Sequence, residues 1–347
     1  MNGLIKKNPS NASRILPFMG GDELSNSPGH AHHRYVIDFA DYPLRRESLS
    51  KSWSAISAED RRECLLNGIV PDDYDDPVAA DWPDLVAIVE ALVKPERLKQ
   101  KDKVGRRFWW RFLRRRDQMY AAIANLSQVL AVSRVAKHLC PAFLANGMVY
   151  SLDCIVFAFD SFAPLAALHS RTHETWTRFF ASSLEDRLRY TPSDCFRTFP
   201  FPVGFETLPA LEAAGQVYHD HRAALMVAHD EGMTKTYNRF HDPDERRQDI
   251  VRLRKLHAEM DRAVLRAYGW DDLAERAEPI FLDDTNEDDH TYQGRLFWPS
   301  AFRDEVLSRL LALNAERHAD EVRRGVAPGM KGGSAEEDEP DDWGDQD

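Results

Sequence analysis

The side chains that could do chemistry in this chain are its histidines, one Asp-Ser pair and a dense run of arginines. His30, His32 and His33 in HAHH offer imidazole nitrogens to a metal, but no cysteine or carboxylate follows at ligand spacing. Asp160-Ser161 ahead of His169 and His173 has the residue types of a hydrolase trio, yet no G-x-S-x-G elbow holds the serine. Asn8-Pro9 begins like the Asn-Pro-Pro-Tyr motif that grips a flipped base's amino group, but NPSN lacks the second proline and the aromatic. Pro83-Asp84 with Glu90 and Lys94 does not give the close acid-x-Lys spacing of a metal-dependent nuclease. G-x-G-x-x-G, G-x-x-x-x-G-K-[ST] and H-E-x-x-H are all missing. The expectation is therefore no catalytic residue, no metal site and no cofactor in this chain.

RRFWWRFLRRR, residues 106–116, is the exception to this chemical quiet. Residues 94–116 hold eleven Lys or Arg against two acids, Glu96 and Asp102. Such crowded like charge repels itself and is relieved by an anionic partner. At roughly 100° per residue, a helix over Arg106–Leu130 would gather Phe108, Phe112, Met119, Ile123, Leu126 and Leu130 on one arc. Arg107, Arg111, Arg114 and Arg115 would share another, with Trp110 near it to cover a sugar or support a guanidinium. Guanidinium is always charged and forks onto phosphate oxygens, so the stripe suits a nucleic-acid backbone. Lys101, Lys103, Arg106, Arg107, Arg111, Arg114 and Arg115 are the expected phosphate-binding residues. The alternative is a solvated face, or a dock for an acidic protein in an interaction scaffold.

The elements that must position this run follow from the patterning. The 347 residues suffice for two domains, with 43% hydrophobic and 29% charged residues, as in an ordinary globular protein. The net charge of -12 is uneven: residues 334–347 carry eight acids and no base, so the remainder is near -4. No apolar run is long enough to cross a bilayer, and MNGLIKKNPSN lacks the apolar stretch of a secretory signal. Cys64, Cys140, Cys154 and Cys195 form no C-x-x-C pair, which fits reduced thiols in a cytoplasm. HRYVIDFA (33–40) alternates as a half-buried strand, and MVYSLDCIVFAF (148–159) reads as one or two buried strands. Residues 71–86 read as an acidic, proline-broken loop leading to a helix that ends near Lys94-Pro95, and residues 164–184 return to helical spacing. TPSDCFRTFPFP (191–202) is expected to run extended as a seam between domains. Beyond it the spacing predicts helices over 208–229, 249–268 (Ile250, Leu253, Leu256, Met260, Val264 and Ala267 inward) and 302–324 (Val306, Leu310 and Leu313 inward).

Several strings, in order, carry a resemblance: NPSNASRILPFMGGDEL, HRYVIDF, WWRFLRRRDQM, ALHSRTHETWTRFF, RYTPSDCFRTFPFP, EGMTKTYNRFHDPDE, LRKLHAEMDRAVLRAYGW and LLALNAERHADE. From about Lys7 to Arg324 they resemble the C-terminal part of MmeI-like (type IIL/IIG) restriction-and-modification enzymes, shared by adenine methyltransferases of phage-defence systems such as DISARM. The resemblance implies an α+β protein. A mixed α/β target recognition domain occupies 1–205, a small all-α helical bundle 206–325, and a disordered acidic tail 326–347. It implies double-stranded DNA as a partner, and no membrane. The chain would be the non-catalytic specificity part, a split subunit or a fragment. Catalysis and S-adenosylmethionine would then belong to a methyltransferase partner subunit, with or without a nuclease, acting on adenine N6. Within that frame phosphate contacts set register while forked side chains read bases. Ser133, Arg134, Lys137 and His138, and beyond the strands Arg171, Thr172 and His173, are the candidate base readers.

Overall fold

A computed structural model of the chain describes residues 1–112, 115–184 and 187–327. They form two compact units, Met1–Ala131 with Phe143–Asp160, and Val132–Ala142 with the chain from Ser161 onward. The expected mix of helices and small sheets is present. Among the described residues no helix is long and apolar enough to cross a membrane.

The first unit starts with α1 (Asn2–Lys7), β1 (Ile15–Met19), α2 (Gly21–Asn26), β2 (Arg34–Ile37), β3 (Arg45–Glu47), α3 (Ala58–Asn67) and β4 (Ile69–Pro71). It continues through α4 (Pro83–Leu92), α5 (Lys94–Lys99), α6 (Lys103–Arg107), α7 (Asp117–Ile123) and β5 (Gln128–Ser133). After β6 (Val135–Ala136), which belongs to the second unit, it closes with β7 (Ala142–Ala145), β8 (Val149–Tyr150) and β9 (Cys154–Phe157). β1 pairs antiparallel with β2, Ile15 opposite Ile37, and parallel with β8. β5 lies between β7 and β9 in a second sheet, and its run Val129–Val132 is buried on both faces, as its apolar sequence demands. The strand read from HRYVIDFA is β2, and MVYSLDCIVFAF supplies β8 and β9. Asn8, far from holding a base, caps a 3-10 turn over Pro9–Ser13: its Oδ1 accepts from the Ser10 backbone N–H at 3.1 Å.

The single helix expected over 106–130 does not form. α6 ends at Arg107, the chain turns through Phe108–Trp110, and α7 begins only at Asp117, preceded by Arg116 in the left-handed region (φ 55°). Trp109 and Trp110 are adjacent, and both are buried where the chain turns out of helix. The turn lets both enter, to 7% and 5% exposure, among Ile15, Phe39, Ala79, Leu85 and Val89. Trp110 Nε1 donates to the Tyr42 carbonyl at 3.0 Å. Its six-membered ring lies over Gly68, the left-handed residue (φ 72°) that ends α3, where an added Cβ would sit 2.4 Å from the ring. Gly68→Ala is expected to combine left-handed strain with displacement of Trp110, lowering stability by roughly 3 kcal/mol in urea unfolding. An unchanged midpoint would mean that the ring is not seated there.

The second unit takes β6 and then α8 (Phe162–His169), α9 (Arg171–Phe180), β10 (Ser182–Leu184), β11 (Arg187–Arg189) and α10 (Pro192–Cys195). It goes on to α11 (Pro209–His229), α12 (Met233–His241), α13 (Gln248–Ala267), α14 (Asp271–Arg276), β12 (Ile280–Leu282), β13 (Arg295–Phe297) and α15 (Ser300–Arg324). Gly215 of α11 faces α8 closely enough that a Cβ would fall 2.2 Å from the Phe162 carbonyl oxygen. Two features differ from expectation. The helices share their unit with the antiparallel pair β12–β13, so the region is not all-α. The compact units also divide near residue 160, not at 205. Phe199, with Phe201 packed against it, joins Trp176, Leu265, Trp298 and Val306 in one core, so 191–202 is interior packing within the second unit. The acidic tail from residue 328 lies outside the described residues.

Candidate nucleic-acid interface

The basic run begins on α5 and α6. Asp102 caps α6 by accepting from the Val104 N–H at 2.9 Å, and residues 94–107 carry seven bases against two acids. Two of these cations are paired locally, Lys94 with Glu90 and Lys99 with Glu96, each at 2.7 Å. Lys101, Lys103 and Arg106 are exposed and have no ion-pair partner among the described residues. Arg107, also exposed, donates to Asn67 Oδ1 at 2.7 Å.

Past the aromatic turn the arginines are already engaged. Arg111 is half-buried, donates Nε to the Tyr42 carbonyl at 2.9 Å and lies 5.2 Å over the Trp110 ring. Burial lowers its pKa. Arg115 pairs with Asp41 and approaches Asp117 at 3.6 Å. Arg116 turns its guanidinium onto the Ser151 carbonyl at 3.2 Å. Arg114 lies outside the described residues. The expected stripe of Arg107, Arg111, Arg114 and Arg115 on one helical arc is therefore replaced by a split set. Lys101, Lys103, Arg106 and Arg107 face solvent, whereas Arg111 and Arg115 brace the turn. Trp110 does support a guanidinium, but it is too buried to cover a sugar.

The candidate base readers separate in the same way. Ser133 and Arg134 are half-exposed and Lys137 is exposed, its Nζ 3.0 Å from Asn238 Oδ1. Between them β6 pairs antiparallel with β11, which pairs with β10, so Val135 stands opposite Arg189 and Ala136 opposite Leu188. Arg187 on this ribbon is exposed and Arg189 half-exposed. Sequence reasoning missed both, because a three-residue strand has too few alternations to stand out.

Arg171, Thr172 and His173 are corrections. Their exposures are 1%, 0% and 0%, since they form the first turn of α9, whose Ser170 cap is itself buried. Arg171 Nη1 meets Asp261 Oδ2 at 2.5 Å, its backbone N–H donates to Asp261 Oδ1 at 2.8 Å, and Nη2 donates to the Leu296 carbonyl at 2.9 Å. His173 Nε2 is 3.1 Å from the Tyr190 hydroxyl, and burial drives its pKa down to about 3. His138 is also buried, stacked on His241 with centroids 5.0 Å apart and bonded to Asn238; burial brings its pKa to about 4. Arg171, His138 and His241, with His169, His257 and Tyr237, line a cavity of only about 10 Å³, room for roughly one water molecule. Their arrangement is a neutral-imidazole and buried-ion-pair core, with no space for a base.

Residues 69–203 match the family model of the MmeI target recognition domain. That stretch is what the chain shares with an MmeI-type target recognition domain. The matched span runs from β4 through α5, α6, the tryptophan turn and the β6–β11–β10 sheet. A solved structure of the type IIL restriction-modification enzyme MmeI in complex with DNA aligns over 92% of this chain, with a TM-score of 0.51 and 16% identity. At that identity the likeness carries the fold. The chain spans about a third of the length of that MmeI chain, 33% being covered. No curated protein matches it.

Proposed function

We propose that this chain recognises a duplex DNA sequence and directs a partner, S-adenosylmethionine-dependent adenine-N6 methyltransferase to it, within a restriction-modification or phage-defence system. The observation that carries this reading is the match of residues 69–203 to a target recognition domain. Lys101, Lys103, Arg106 and Arg107 supply the phosphate contacts. They are mostly unpaired, and an unpaired exposed cation releases counterions from DNA without first breaking an ion pair. Base reading falls to the β6–β11–β10 sheet with Ser133, Arg134, Lys137, Arg187 and Arg189, since the major groove admits a two-stranded ribbon and arginine forks onto guanine.

The test is selection from a random duplex library with the full chain, followed by sequencing of the bound fraction. A single enriched motif is expected. Arg187→Ala is expected to relax one position of that motif, reducing discrimination there by about 1–3 kcal/mol, or roughly 5- to 150-fold, with affinity for unrelated DNA little changed. Recovery of no motif, together with a protein partner that survives nuclease treatment, would make the basic face a protein dock.

A further inference from the structure

We propose that His138, His169, His173, His241 and His257 form a proton-operated latch, which holds the second unit closed at neutral pH and opens it cooperatively on mild acidification. The proposal goes beyond the DNA reading and does not depend on it. Four of these residues are buried, and half-buried His241 shares a cavity wall with His138, His169 and His257. The rings meet in pairs, His138 with His241 and His169 with His257, each with centroids 5.0 Å apart. Their hydrogen-bond directions favour the neutral form. The Leu296 backbone N–H donates to His241 Nδ1 at 3.0 Å, so that nitrogen carries no proton. Arg171 Nη1, which can only donate, lies 2.9 Å from His257 Nδ1. Asn238 Oδ1 accepts from both Lys137 Nζ and His138 Nε2 at 3.0 Å, which leaves His138 Nδ1 bare and facing Arg295 Nη1 at 3.5 Å. His169 Nε2 meets the Tyr218 and Tyr237 hydroxyls at 3.0 and 2.8 Å, and His173 Nε2 meets Tyr190. The Nδ1 atoms of His169 and His173 are buried with no partner among the described residues. A second proton therefore breaks a bond at His241 and His257, faces a guanidinium at His138, and is stranded at His169 and His173.

The surrounding charges oppose protonation as well. Arg171 and Arg178 of α9, Arg222 of α11, Arg295 of β13 and Lys137 act on the rings as cations, against Glu174 of α9 and Asp261 of α13. Both carboxylates are already engaged, Glu174 by Arg178 at 2.7 Å and Asp261 by Arg171 at 2.5 Å. Tyr190, Tyr218, Tyr237 and Cys140 keep their protons because burial raises their pKa values. Asp261, 3.3 Å from His257 Nδ1, favours the charged ring there, and burial outweighs it. Burial lowers the pKa of all five imidazoles, to about 4 at His138 and about 3 at His173. In an opened chain each imidazole titrates near its ordinary value of about 6.5. The opened chain then binds protons that the closed unit refuses, so closure is fully favoured above about pH 6.5 and loses ground as pH falls toward 4. From pH 7.5 to 5.5 each ring raises the opening constant by up to about 10-fold, and five set a ceiling of about 100,000-fold. Opening also frees β6, because Arg295 Nη2 donates to the Lys137 carbonyl at 2.8 Å and Lys137 shares Asn238 with His138.

Hydrogen exchange of the full chain at pH 7.5 and pH 5.5, corrected for the intrinsic pH dependence of exchange, reads opening segment by segment. Over β6, α9, α12 and α13 the opening constant is expected to rise at least about 1,000-fold at the lower pH. Over Met1–Ala131, where His30, His32 and His33 are not buried, it is expected to change less than about 10-fold. Glu174 and Asp261 have lowered pKa values and stay ionised in this range, so the rise reports the imidazoles. His138→Gln with His173→Gln removes two proton sites and keeps an amide to meet Asn238 and Tyr190. That double variant should cut the pH ratio about 100-fold, whatever its stability at pH 7.5. A rise below about 1,000-fold in the second unit, an equal rise in both units, or an unchanged ratio in the double variant overturns the proposal. If the double variant does not fold, the comparison of segments in the unaltered chain decides.

Discussion

The triple substitution Lys101→Ala, Lys103→Ala, Arg106→Ala is expected to weaken duplex binding about 10- to 100-fold at 0.1 M salt, equally for all sequences. Each phosphate contact contributes about 0.9 to the slope of log affinity against log salt, so the slope should flatten by nearly 3. These side chains are exposed and unpaired among the described residues, so unfolding should move by less than about 0.5 kcal/mol. Arg111→Ala provides the contrast. Its guanidinium is half-buried against Tyr42 and Trp110, and its loss should act through stability of the turn, not through the salt slope. If Arg111→Ala flattens the slope and the triple variant does not, the phosphate face lies beyond the tryptophan turn, and the assignment to α5–α6 is wrong.

Asp261→Asn should have the largest effect on stability. Asp261 is fully buried and serves Arg171 twice, through the backbone N–H and through Nη1, with His257 Nδ1 at 3.3 Å. Removing its charge leaves the Arg171 guanidinium, 1% exposed, without a counter-ion, a loss of about 3–5 kcal/mol. A domain of this kind holds roughly 5–15 kcal/mol in all, so the variant should unfold at far lower urea. Replacing both partners with apolar residues, Arg171→Leu with Asp261→Leu, should recover much of that loss, because no buried charge is then stranded. The same pair tests the correction at Arg171. Should Asp261→Asn leave stability intact while altering which duplex is selected, Arg171 would be a base reader after all.

Glu174 shows why α9 is so unlike a surface helix. Burial alone would push its carboxyl pKa up, but the charges of Arg178 and Arg295 outweigh that and hold it below the usual range. Arg178 meets it at 2.7 Å and Arg295 at 3.9 Å. A polar sequence such as HSRTHETWTRFF therefore enters the core as a set of mutually satisfied groups. Periodicity detects apolar stripes, and this helix has partners in place of a stripe, supplied by Asp261 ninety residues away and Leu296 farther still. That is why Arg171, Thr172 and His173 read as surface residues.

Much else was legible beforehand. β2, β8, β9, α4, α11, α13 and α15 stand where alternation or 3.6-residue spacing placed them, and the quoted strings pointed to the family that residues 69–203 match. Those features depend on local patterns that a short window contains. Two kinds of fact were invisible. One is which cation is spent internally: Asp41 and the Tyr42 carbonyl, about seventy residues from their arginines, decide that Arg115 and Arg111 brace a turn. The other is where the chain leaves helix: the turn that places Trp109 and Trp110 in one core with Ile15, Phe39 and Leu85 depends on residues far along the sequence. The chain's charge, its helical second half and its likeness to a target recognition domain belonged to the sequence. That Lys101, Lys103 and Arg106 stay unpaired among the described residues belonged to the tertiary structure, because an ion pair between distant residues exists only once the chain has folded.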